Sequence, residues 1–206
     1  MGERLLGALI IFIIGKFLVN WLNKLFAKML NKRKVEPSIQ SFLKSIVNIT
    51  LLVLLFLAVI GKFAVQPRFQ GGGSSHINCH KITSLLDALE GVPGVTYAQG
   101  YDIVNETPDE ALIAEAVAAA KQASKAVIVA GLPDSFESEG YDRKHMRMPN
   151  CQVELIHRVA EANPNTIVVL YNGSPVEMPW IGCVKAVIEG YLGGQAVGGA
   201  TKMVLW

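Results

Sequence analysis

Charge is what this chain of 206 residues has least of: Asp, Glu, Lys and Arg make up 17% of it, against 51% hydrophobic residues. That balance is skewed for a soluble domain. Acidic residues are nearly missing from the first third, where residues 1–66 hold only Glu3 and Glu36 against nine Lys and Arg. Residues 67–206 reverse this with fifteen acidic and ten basic residues, so the net charge of +2 hides one basic and one acidic segment, as expected of two segments in different surroundings. Cysteine is scarce too. Cys79, Cys151 and Cys183 lie far apart in no C-x-x-C spacing, which argues against a metal site and reads as free thiols. The glycine-rich stretch Gln70–His76 is not followed by Gly-Lys-Ser/Thr, so no nucleotide-binding P-loop is present. Neither a metal nor a cofactor is expected.

The apolar residues cluster in two early runs. Leu5–Leu22 is broken only by Lys16 and Asn20, and Ser45–Gly61 carries no charge, with Lys44 and Lys62 at its ends. The second run has about the minimum length of a spanning helix. A signal peptide is the rival reading of the first, but no small-residue cleavage site comes after it. Between the runs lie Lys24, Lys28, Lys32, Arg33, Lys34 and Lys44 against Glu36 alone. Flanking apolar runs make a membrane, not nucleic acid, the partner of this charge, and the positive-inside rule makes the loop cytoplasmic. Residues 1–66 are therefore expected to form a two-span transmembrane hairpin, with the rest of the chain on the non-cytoplasmic side.

From His80 onward the pattern alternates. Strands are expected at Val95–Ala98, Ala126–Ala130, Thr166–Tyr171 and Val184–Ile188; helices at Ile82–Leu89, Ala111–Ala123 (capped by Thr107), Gln152–Ala162 and from Gly193. Alternation of this kind gives an α/β fold, a parallel sheet between helical layers in a three-layer, flavodoxin-like or Rossmann-like sandwich. The alternation reads as complete within residues 77–206, with 67–76 as a glycine-rich junction. That junction is either a flexible linker or a turn whose N–H groups cradle an anion. After the strand at Ala126–Ala130 comes the polar loop Gly131–Arg143, with Asp134, Glu137, Glu139, Asp142 and Arg143. A loop at the carboxyl end of such a sheet is where ligands bind. Its carboxylates suit acid–base chemistry, or it is a solvated surface loop.

Two resemblances sharpen this. Gly15-Lys16, Val35-Glu36-Pro37-Ser38, Phe42-Leu43 and Ile60-Gly61 resemble the first two transmembrane helices of small-conductance mechanosensitive channels; the pore-lining third helix and the β-domain of that family do not come after them. Arg68-Phe-Gln-Gly-Gly-Gly-Ser-Ser-His76, Val95-Thr-Tyr-Ala-Gln-Gly-Tyr101, Glu137-Ser-Glu-Gly-Tyr-Asp-Arg143, Met148-Pro149, Asn172-Gly-Ser-Pro-Val-Glu-Met-Pro-Trp180 and Tyr191-Leu-Gly-Gly-Gln195 occur in order. Together they resemble the C-terminal α/β-sandwich of glycoside hydrolase family 3, the β-glucosidase-like enzymes. The resemblance implies Glu137 as the general acid/base, with Glu139 the runner-up, Ser74 as a sugar contact, and Asp142 and Arg143 as braces of the loop. It implies a β-linked glucoside or oligosaccharide as substrate. It also implies a barrel domain as partner, supplying the nucleophilic aspartate, which residues 1–66 cannot form and without which the chain is expected to be inactive. The sequence reads as a composite of a membrane hairpin and a truncated sugar-hydrolase domain. The alternative is a channel-family membrane protein carrying an unrelated appendage.

Overall fold

The computed structural model describes residues 57–205. Five parallel strands lie in the order β2-β1-β3-β4-β5, with β1 Leu57–Ile60, β2 Val95–Ala98, β3 Lys125–Gly131, β4 Thr166–Tyr171 and β5 Ala186–Glu189. Among the described residues four α-helices accompany them: α1 Leu85–Ala88, α2 Glu110–Gln122, α3 Asn150–Ala162 and α4 Val197–Leu205. The inner strands read as uninterrupted apolar runs because both faces are covered; Ala126–Gly131 of β3 is buried throughout. The edge strands β2 and β5 are short and partly exposed. α2 packs on α3, and α1 on α4. By the right-handed crossover rule, the β1–β2 connection belongs on one face of the sheet and the β2–β3 and β3–β4 connections on the other.

The sheet begins earlier than the expected boundary at residue 77. β1 is built from the tail of the run Ser45–Gly61, and it is no edge strand but a central one, hydrogen-bonded to β2 on one side and β3 on the other. The 3-10 turn Lys62–Ala64 just after it also belongs to the sandwich, with Phe63 and Ala64 buried. Residues 57–64 are therefore not part of a membrane hairpin. An apolar, β-branched segment such as Ala58-Val-Ile60 has the same composition whether it fills a sheet or crosses a bilayer. The remainder of the expected hairpin lies outside the described residues. Among the described residues no helix is long and apolar enough to cross a membrane.

Local chemistry explains the element ends. Asp109, not Thr107, caps α2: its Oδ1 accepts from the N–H groups of Ala111 and Leu112 at 2.9 and 3.2 Å, and α2 ends at Gln122. Ser84 and Asp87 form a reciprocal capping box that starts the short α1. Gly61 closes β1 at φ +111, and a Cβ there would collide with the Val129 carbonyl of β3, so only glycine lets the chain turn off the sheet at this point. Tyr101, fully buried, bridges the same corner. Its hydroxyl donates to the Val129 carbonyl at 2.9 Å and accepts from the Phe63 N–H at 3.2 Å.

Candidate active site

In a sheet of this order the chain leaves β1 and β3, which are neighbours, in opposite directions. The crevice outside their carboxyl ends is the place where such folds bind ligands. The loop after β1 carries Arg68 and the glycine-rich turn; the loop after β3 carries Asp134, Glu137 and Glu139. A third loop, after β4, brings Gly173 and Ser174 to the same edge. Together they line a concavity of about 370 Å³ bordered by Arg68, Gly72, Glu137, Glu139, Arg143 and Ser174.

Glu137 is tucked into this edge, its side chain 12% exposed. Its main chain turns there because the N–H groups of Phe136 and Glu137 both point to the Pro133 carbonyl, at 2.9 and 3.3 Å. The Gly173 N–H donates to Oε1 and the Ser174 hydroxyl to Oε2, each at 2.5 Å. Arg68 Nε lies 3.4 Å from Oε1, and Arg68 Nη2 donates to the Glu137 carbonyl at 2.9 Å. The same guanidinium pairs with the exposed Asp134. One nearly buried cation thus holds the backbone and carboxylate of Glu137 and one further carboxylate.

The other expected site residues lie at the same edge with different partners. Ser74 directs both its hydroxyl and its N–H at Glu139: the hydroxyl donates to the carboxylate, with Oγ at 2.9 and 2.7 Å from the two oxygens, and the N–H donates to Oε2. These hydrogen bonds hold the Glu139 carboxyl below its ordinary pKa. Arg143 reaches across to the β4 loop, with Nη1 donating to Ser174 Oγ at 2.8 Å and the Pro175 carbonyl at 2.7 Å, and Nη2 to the Arg147 carbonyl at 3.2 Å. Asp142 lines the concavity and is exposed. Among the described residues no hydrogen bond or ion pair is made by it, so its carboxylate braces nothing visible there. Phe136, beside Glu137, packs edge-on against His145 with centroids 6.2 Å apart and borders a second hollow of about 390 Å³. No group of His, Cys, Asp and Glu among the described residues could hold a metal ion.

Arg68, Gly173 and Ser174 stand within recognisable motifs, but sequence alone assigns them no role. The signals are there: a lone arginine heads the glycine-rich turn, and Asn172-Gly-Ser-Pro175 comes directly after the apolar run of β4, at the same sheet edge as Glu137. Chemically, the edge offers a carboxyl group held from both oxygens, facing a concavity bordered by hydroxyl, guanidinium and backbone donors. Of the neighbouring carboxylates, Asp134 is engaged by Arg68 and Glu139 by Ser74.

Known proteins resemble the chain over this part. Thermostable beta-glucosidase B of Acetivibrio thermocellus is 50% identical over 154 residues, covering 73% of this chain and 20% of that protein. The exo-alpha-(1->6)-L-arabinopyranosidase of Bifidobacterium longum is 45% identical over 153 residues, again covering 73% and 20%. The crystal structure of a Bifidobacterium adolescentis GH3 beta-glucosidase superposes with a TM-score of 0.67 at 46% identity, covering 72% of this chain and 22% of that one. The chain spans about a fifth of the length of these curated relatives. Residues 4–37, outside the described part, match a model of the mechanosensitive ion channel conserved TM helix. The model of the glycosyl hydrolase family 3 C-terminal domain matches residues 55–206, β1 included, and to that family the chain belongs.

Proposed function

We propose that residues 57–206 supply the acid/base half of a β-glycosidase active site, with Glu137 as proton donor and acceptor. The observation that carries this reading is the position of Glu137 at the switch-point edge, beside the concavity, in a domain 50% identical to part of a beta-glucosidase. In the first step Glu137 gives its proton to the glycosidic oxygen as the bond to the anomeric carbon breaks and a nucleophilic carboxylate bonds to that carbon. In the second, Glu137 takes a proton from the water that displaces the carboxylate. A retaining site needs the two carboxyl groups about 5–5.5 Å apart. As the family resemblance implies, the nucleophile and most sugar contacts come from a separate barrel domain. Ser74 contacts the sugar, and Arg143 braces the loop through Ser174 and Pro175. Relatives named for a β-glucoside and for an α-linked arabinopyranoside share this domain, which leaves the choice of sugar to the partner domain.

The test is complementation. The chain alone is expected to give no turnover of an aryl β-glucoside, and to give turnover when mixed with a barrel domain from a close family relative. Turnover by the chain alone would overturn the divided site. The N-terminal residues are proposed to anchor the domain in a membrane, on its non-cytoplasmic side, supported by the match at residues 4–37. Release of the full-length chain from membranes by alkaline carbonate would contradict that. The same match favours a second reading, a channel-family protein with an appended domain; conductance in patch-clamp recordings, with no hydrolysis on complementation, would select it.

A further inference from the structure

The buried face of α3 carries Gln152, Leu155, Ile156 and Val159 at helical spacing. Gln152 is the polar member of that stripe and is 1% exposed. A buried amide is costly unless it is hydrogen-bonded, and leucine would serve packing as well. Its Oε1 accepts the Gly131 N–H at 2.9 Å, while its Nε2 has no hydrogen-bond partner among the described residues. The amide is therefore kept for its oxygen; turned over, it would set one N–H group against another. The Gly131 N–H needs this partner because β1 stops short. β3 pairs with β1 only as far as Ile60 and Ile128, then runs on beside β4 to Gly131, opposite Tyr171. At Gly61 the chain turns off toward β2, its N–H donating to the Ala98 carbonyl at 3.1 Å. Side chains take over where β1 has left: the Tyr101 hydroxyl donates to the Val129 carbonyl, and Gln152 accepts from Gly131. These two close the floor of the crevice between the diverging strands.

We propose that Gln152 is a positioning residue that clasps the base of the loop after β3, fixing the point at which the acid/base loop leaves the sheet. Twenty-one residues separate Gly131 from Gln152. Residues 132–149 between them are that loop, so the clasp joins its two ends. The exit is held from the other side as well. The Leu132 N–H donates to the Tyr171 carbonyl at 3.2 Å, and Gly131 lies so close to β4 that a Cβ there would collide with the same carbonyl. α3 is a firm support for the clasp: Leu155, Ile156 and Val159 are buried, and the Cys151 N–H donates to the Glu106 carbonyl at 2.9 Å. Without the amide oxygen the buried Gly131 N–H is left unsatisfied, and the backbone shifts to find another acceptor. A misplacement of about 1 Å, even from a change far from the chemistry, can cost about 10²-fold in rate. The consequence for catalysis rests on the reading of this loop as the acid/base loop; the clasp itself does not.

Two substitutions test this. Gln152→Met keeps the length of the side chain and removes the acceptor; Gln152→Glu keeps the shape and an acceptor oxygen. Amide hydrogen exchange of the full-length chain is read in overlapping peptides across Ala130–Leu132. It is expected to be several-fold faster in Gln152→Met and close to wild type in Gln152→Glu. Protection of Val127 and Ile128 in β3 reports that each variant is folded. Gln152→Asn, which draws the oxygen back by one methylene, takes the place of Gln152→Met if that variant does not fold. In the enzyme complemented with a barrel domain, Gln152→Met is expected to lose about tenfold in kcat/KM on aryl β-glucosides with poor leaving groups, a part of the roughly 10²–10⁴-fold that proton transfer contributes. Activated substrates are expected to lose far less, and Gln152→Glu to recover most of the difference. A merely structural residue would lower the folded fraction, and with it both kinds of substrate equally. Tyr101→Phe, which removes the donor at the neighbouring Val129 carbonyl, is expected to behave in that way. Unchanged exchange across Ala130–Leu132 in Gln152→Met would overturn the clasp. Equal loss on both kinds of substrate, or no recovery in Gln152→Glu, would overturn the positioning role. If the wild type gives no turnover with a barrel domain, the acid/base reading of the loop falls, and exchange at Gly131 still decides the clasp.

Discussion

At the scale of single residues, Arg68 ties the site together. Its side chain is 6% exposed and pairs with a Glu137 side chain that is 12% exposed. Removing one partner of a buried pair costs about 3–5 kcal/mol because the other is left uncompensated. Here the residual exposure and the hydrogen bonds from Gly173 and Ser174 soften the loss. Arg68→Met is therefore expected to destabilise the domain by about 2–3 kcal/mol, read as a lower midpoint in chemical unfolding at neutral pH. A change within about 0.5 kcal/mol, the usual range for an inert surface site, would show that Arg68 is not holding the loop. The exposed partner contributes little: Asp134, with a side chain 76% exposed, belongs to the class of surface pairs worth about 0–1 kcal/mol. Asp134→Asn is expected to leave the midpoint nearly unchanged.

The elements show where sequence patterning succeeds and where it cannot. The strands β2, β3 and β4 and the helices α2 and α3 were legible because each lies between polar turns and carries its own pattern: helical spacing of buried residues at Leu155, Ile156 and Val159, and short apolar runs at Ala126–Ala130 and Thr166–Tyr171. β1 was not legible. Its apolar residues continue an apolar run, and only its pairing with Val95–Ala98 and Lys125–Ile128, both distant in sequence, distinguishes it. The site was half legible for a related reason. Glu137, Ser74 and Arg143 stand in recognisable motifs. The contacts that decide what Glu139 and Arg68 do, however, run between loops that the sheet order brings together and sequence spacing does not. The central place of β1 also moves the domain boundary. A chain of residues 77–206 lacks the strand between β2 and β3, exposing both inner edges, so it is expected to show no cooperative thermal transition by circular dichroism. A chain of residues 56–206 is expected to show one. Cooperative unfolding of the shorter chain would mean that β1 is dispensable.

For the whole molecule, the proposed active site is divided between domains: this one brings the carboxyl that handles the proton, and another brings the carboxylate that attacks the sugar. A barrel domain docked on the sheet's carboxyl edge would close the concavity around Glu137, turning a half-open surface into an enclosed subsite. The most direct measurement is the leaving-group dependence of Glu137→Gln in the complemented enzyme, comparing kcat/KM for aryl β-glucosides of graded phenol acidity. Only poor leaving groups need protonation as they depart. A loss of about 10²–10⁴-fold is expected for those and little loss for activated ones, with Glu139→Gln showing no such gradient. An equal loss across the series, or a steeper gradient in Glu139→Gln than in Glu137→Gln, would contradict the role given to Glu137.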